Sequence, residues 1–176
     1  MKHVIGLLLL CWCVLAQANA NAFAKYMNAR YNYEVSYPSF LIPQGETLQG
    51  DGQRFAGKGA SLVVYGSFYP NLDAHQHPNQ ANIVDEFHDG ITAINQQGFN
   101  PQTTELKDTY FTITASDKSQ TVYVKKILVT PCKMHLYLWV YYPKTDKAYW
   151  EKMLPIISDS FKYAGKKCVG DYRNFR

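Results

Sequence analysis

Apolar runs long enough to cross a bilayer are missing from this sequence. The one extended stretch, Val4 to Leu15, is about twelve residues long where roughly twenty are needed, so no transmembrane span is expected. Cysteine is scarce too. Cys11 and Cys13 lie inside that stretch and only Cys132 and Cys168 lie beyond it, which excludes a cysteine-based metal cluster from the rest of the chain. No Gly-x-Ser-x-Gly elbow is present, so the usual serine nucleophile has no seat. Gly50-Asp51-Gly52-Gln53-Arg54-Phe55 lacks the glycine spacing and the following helix of a phosphate loop and reads as a tight turn needing positive φ. The net charge is only +4, without the dense basic stripe that nucleic-acid binding requires, and no repeat or low-complexity linker divides the chain.

What the N-terminus does contain is an export signal. Lys2 supplies a positive charge, the apolar stretch follows, and Ala16, Ala18 and Ala20 supply small residues for cleavage. Cleavage is expected after Ala20, with Ala16-Gln17-Ala18 as a second possible site. Lipidation at Cys11 or Cys13 is the minor alternative, because Leu10 and Trp12 are bulky for a position preceding such a cysteine. Removing residues 1–20 leaves seventeen Lys plus Arg against fourteen Asp plus Glu, a net charge of +3. Basic residues collect at Lys162, Lys166, Lys167, Arg173 and Arg176, a solvated C-terminal face that could also touch an anionic surface. In an oxidising compartment Cys132 and Cys168 are expected to pair, since a strand leaving Cys132 and a helix returning bring Cys168 back beside it.

Residues 21–30 read as a lead-in, 31–168 as a single α+β domain and 169–176 as a basic tail. Tyr31 to Tyr37 alternates apolar and polar residues as a half-buried strand does, and Pro38 ends it. Gln53 to Phe55 and Ser61 to Phe68 are expected to form a hairpin around Gly57-Lys58-Gly59. Ile83, Val84, Phe87, Ile91 and Ile94 mark an amphipathic helix from near Asn79 to Gly98, whose glycine suits a left-handed cap. Strands at Tyr110 to Ala115, Thr121 to Thr130 and Lys133 to Tyr142 follow, joined too tightly for parallel crossovers. The last of them sets Leu136, Leu138 and Val140 against Tyr137, Trp139 and Tyr141, as a central strand with both faces covered would. A closing helix carries Trp150, Met153, Leu154, Ile157 and Phe161, and Pro155 is expected to kink or split it. The fold class is therefore α+β: a mainly antiparallel six-stranded sheet with helices packed on it.

The opening Tyr-x-Tyr-x-Val-x-Tyr-Pro strand, the early helix, the meander and a closing helix ending in Ser160-Phe161-Lys162 resemble the PsbP-like superfamily. That superfamily includes the Mog family of Ran-binding proteins and bacterial periplasmic lipoproteins. The resemblance runs from about Tyr31 to Phe161 and implies an α/β/α sandwich that binds or assembles without a catalytic centre. Its members do different jobs, so it names no particular function.

An exported non-catalytic interaction module of the bacterial cell envelope is thus expected. Its partner would be another envelope or secreted protein, with no cofactor and no nucleic acid. Tyr and Trp recur at interfaces, and Tyr65, Tyr69, Trp139 and Tyr141 are the candidate binding residues, although most surplus rings are expected under a helix. The alternative is a small metal-dependent or carboxylate hydrolase acting on envelope material. Its candidate ligands are Asp73, His75 and His77, near Asp85 and His88, in a spacing that matches no recognised zinc site.

Overall fold

The structure, a computed structural model, describes residues 22–68, 82–129, 132–166 and 168. The leader, the basic tail, Tyr69, Asp73, His75 and His77 lie outside the described residues. Among the described residues, ten strands and two main helices appear in the order β1 (Phe23–Asn28), β2 (Tyr33–Pro38), β3 (Ile42–Glu46), β4 (Gly52–Gly57), β5 (Ala60–Phe68), α1 (Ile83–Gln96), β6 (Asn100–Leu106), β7 (Tyr110–Ser116), β8 (Gln120–Val129), β9 (Met134–Pro143), α2 (Lys147–Ser160) and β10 (Lys162–Tyr163). Every pairing is antiparallel.

The expected single six-stranded sheet is two sheets: one of seven strands, ordered β3-β4-β5-β9-β8-β7-β6, and one of three, ordered β1-β2-β10. The strands missing from the sequence reading share a cause. β3 contains Pro43 and Gly45, and β6 begins Asn100-Pro101; both are sheet edges with exposed side chains and a register break, so neither shows apolar alternation. Proline and irregular register at these positions also blunt the edges against further strand addition. β1 lies within the lead-in and pairs along its whole length with β2.

β9 is central, as its two apolar faces predict. One face of the large sheet meets the three-stranded sheet and α2: Tyr33, Val35, Leu62, Val64, Leu138 and Val140 are fully buried there with Trp150 and Ile157. On the other face α1 packs Ile94, with Phe87 and Ile91, on Phe111, Ile113, Val122 and Val124. Helices thus lie on both sides of the large sheet. Among the described residues no helix is long and apolar enough to cross a membrane.

Local chemistry explains the helix ends. α1 begins at Ile83 rather than near Asn79, because Asn82 caps it through a 3.0 Å bond from the Val84 N–H to its side-chain oxygen. At the other end Gly98 has φ +85°, its N–H reaching the Asn95 carbonyl and that of Phe99 the Ile94 carbonyl, a Schellman closure. Gly90 lets the helix lie close on β7, since a Cβ there would sit 2.9 Å from the Phe111 ring. Val84, included in the expected apolar stripe, faces solvent instead. α2 continues through Pro155 without dividing. That proline is on the exposed side of the helix, where the Glu151 carbonyl that loses its donor is within reach of solvent.

Cys132 and Cys168 form a disulfide, with Cα atoms 4.9 Å apart. It ties the segment after β10, and with it the small sheet, to the β8–β9 connection of the large one.

Candidate functional site

Strand register brings the expected binding residues together. On the face that carries α1, each row across the sheet can be read from the pairings. Ala56, Ser61, Tyr141 and Val122 make one row; Arg54, Val63, Trp139 and Val124 the next; Gly52, Tyr65, Tyr137 and Lys126 the third. α1 lies over β6 and β7, so the β4–β5–β9 half of this face carries no helix among the described residues.

Tyr65, Tyr137, Trp139 and Tyr141 are all half-buried on it. The Tyr65 and Tyr137 rings stack at 4.4 Å, and those of Trp139 and Tyr141 run parallel at 6.1 Å. Burial pushes the Tyr65 hydroxyl up, and a hydrogen bond with Trp139 partly opposes it. Trp139 and Tyr141 also pack against the α1 core, and the Tyr141 hydroxyl donates to Gln97 Oε1 at 3.4 Å. Of the four rings expected to lie mostly under a helix, Trp139 and Tyr141 thus pack against the α1 core, while Tyr65 and Tyr137 stack on each other. Next to them an open depression of about 590 Å³ is lined by Arg54, Ala56, Val63, Gln120 and Tyr141. Among the described residues that line it, Arg54 alone is formally charged.

A polar cluster closes one end of the aromatic face, and sequence reasoning missed it. Glu86 from the first turn of α1 contacts Lys126 of β8, and its other oxygen is 3.3 Å from His135 Nε2 on β9. His135 Nδ1 lies 3.1 Å from the Tyr137 hydroxyl, and the Lys126 ammonium sits 4.7 Å from the Tyr137 ring centre. Two adjacent lysines, Lys125 and Lys126, inside the otherwise apolar run of β8 were the visible signal: one must point to each face. Burial pulls Lys126 down to about 8. His135, only 8% exposed, is pulled down to about 4 by burial and then by the Lys126 charge.

The folded pKa of His135 is below its ordinary 6.5, so the stability it contributes as a neutral ring is present above pH 6.5 and is lost as pH falls toward 4. His135→Gln should therefore remove about 2 kcal/mol of the acid destabilisation seen between pH 7 and 4. Urea titrations at both pH values check this; equal acid loss in parent and variant would contradict it.

The metal candidates gain no support from the described part. Asp85 and His88 are exposed on α1, and no group of three His, Cys, Asp or Glu side chains among the described residues converges as a metal site would. Asp73, His75 and His77, like Tyr69, lie outside those residues.

No protein-family model matches the chain, and no curated protein matches its sequence. Solved structures do match its fold. The Ran-binding protein Mog1p of Saccharomyces cerevisiae aligns with a TM-score of 0.58 at 8% identity, over 82% of this chain and 96% of that one. The cyanobacterial PsbP (CyanoP) of Synechocystis aligns with a TM-score of 0.60 at 14% identity, over 84% of this chain and 95% of that one. The chain therefore has the PsbP-like α+β fold, as its opening strand and element order implied. At such identities the likeness extends to architecture alone.

Proposed function

We propose that this protein is an exported, non-catalytic binding module of the bacterial cell envelope that receives a protein partner on the β4–β5–β9 face. The observation that carries the reading is the cluster of four half-buried aromatic rings beside α1. Protein interfaces concentrate Tyr, Trp and Arg at their centres, and here Arg54 stands at the edge of the ring cluster next to an open depression. That arrangement suits an apolar segment of a partner with a carboxylate set opposite Arg54. Two features support export: the leader of residues 1–20, with its Ala18-Asn19-Ala20 cleavage sequence, and the Cys132–Cys168 disulfide, which persists outside the cytoplasm.

A photoreactive residue in place of Val63 tests the proposal in living cells. It should crosslink to one envelope protein, while the same group at Asp108, exposed in the β6–β7 turn at the far edge of the sheet, should not. Trp139→Ala should abolish the crosslink and weaken binding to that protein by roughly thirtyfold, as loss of a central ring does. Equal crosslinking from both positions, or a Trp139→Ala variant that binds as the parent does, would refute the assignment.

A further inference from the structure

The opposite face of the large sheet holds a second, chemically different concavity. Beyond the cover of the small sheet, the outer strands β6, β7 and β8 run beside α2 and enclose a groove of about 400 Å³. Its floor is polar in every row. Thr103, Thr114 and Tyr123 lie across from one another, and Glu105, Thr112 and Lys125 form the adjacent row. The wall, from α2, presents Glu151, Ser158 and Asp159.

Most of the polar groups around the groove already have partners. The Tyr123 hydroxyl donates to Ser158 Oγ at 2.7 Å, and Lys125 Nζ donates to the Ser158 carbonyl at 2.7 Å. Glu105 pairs with Lys107 at 3.3 Å and Glu151 with Lys147 at 3.6 Å. Thr103, Thr112 and Thr114 differ: their hydroxyls make no hydrogen bond to another described side chain or backbone group. Thr112 and Thr114 are half-buried nonetheless. Each hydroxyl both donates and accepts, and threonine's branched Cβ holds it in few rotamers, so the three form a set of two-way hydrogen-bonding groups spread over two adjacent rows of the concavity.

We infer that the groove between α2 and β6–β8 is a binding site for a short saccharide, uncharged or amine-bearing. The ligand's hydroxyls engage Thr103, Thr112 and Thr114, and its remaining donors engage the carboxylates of Glu105 and Asp159. Sugar hydroxyls match groups that donate and accept at once, which an apolar or purely anionic ligand does not. Glu105 faces Lys107, Glu151 faces Lys147 and Lys125 is held by the Ser158 carbonyl, so the groove has no surplus of cations to hold a sulfated or uronic saccharide. The volume falls in the range of small-molecule sites. This site is independent of the aromatic face, which lies on the other side of the sheet and mainly on other strands.

The test is a titration of the disulfide-bonded protein, followed by amide chemical shifts. The probes are a glucosamine tetrasaccharide, its N-acetylated counterpart and a sulfated heparin tetrasaccharide. The first two should shift resonances of β6, β7, β8 and α2, and the heparin fragment should not. Exchanging both Thr112→Val and Thr114→Val keeps shape and strand preference while removing two hydroxyls, and should weaken binding by about tenfold without lowering Tm. Trp139→Ala should bind the saccharides as the parent does, so failure here and failure of the partner face are told apart. No response to either neutral or amine-bearing probe at millimolar concentration, equal binding of the heparin fragment, or full affinity in the double valine variant would each overturn the inference.

Discussion

Cys132→Ser should lower the stability of the oxidised protein by about 4 kcal/mol. The bond closes a loop spanning 36 positions, and in the chain-entropy account releasing a loop of that length enlarges the unfolded ensemble by this amount. For a domain of this size the loss corresponds to roughly 8 to 15 °C in Tm. Because the bond joins the segment following β10 to the connection between β8 and β9, its loss also frees the small sheet's last strand from covalent attachment. Calorimetry with and without reductant checks the expectation. Reductant should destabilise the parent to the level of the variant and leave the variant unmoved. A parent insensitive to reductant would show that the sulfurs are not bonded in the native protein.

Trp150→Ala should cost about 3 to 5 kcal/mol, the range for removing a large ring from a packed interior. Trp150 is 1% exposed and is held on three sides: its ring lies 5.3 Å from that of Tyr142, and it meets Phe40 and Tyr149 edge-on at 6.1 and 5.9 Å. It is the residue through which α2 grips β9, so the cavity would open at the junction of helix and sheet, where neither can move far to fill it. Trp150→Phe should recover more than half of the loss. Urea denaturation with an unchanged slope separates lost stability from a change in compactness. A loss under 1 kcal/mol for the alanine variant would contradict the packing of α2 described above.

The contrast between the two tryptophans shows what the sequence could reveal. Trp150 recurs with Met153, Leu154 and Ile157 at helical spacing, and that periodicity alone announces a buried stripe. Trp139 stands in a strand whose two faces are equally apolar, so alternation could say that β9 is central but not which face would remain partly open. That depended on where α1 lands, and Gly90 against Phe111 places it over β7 rather than β9. β1, β3 and β6 were illegible for another reason. A strand at an edge has one partner and exposed side chains, so its pattern obeys solvent rather than a core, as the Ile42–Glu46 strand shows with every residue exposed. The Glu86, Lys126 and His135 cluster joins three elements distant in sequence, and only the adjacent lysines hinted at it. The threonine groove had no signal, since Thr112 and Thr114 read simply as the polar half of an alternating strand.

The position of β9 between two separate interiors governs which changes of chain length the domain can absorb. Its odd-numbered rings serve one interior and its even-numbered aliphatic residues the other. Adding or deleting a single residue here would turn every later side chain through the wall at once, sending Leu136, Leu138 and Val140 outward and the tyrosines into space shaped for smaller groups. Drift in length must therefore accumulate at the periphery, around the Pro43 and Pro101 strands, while the middle of the sheet keeps its count.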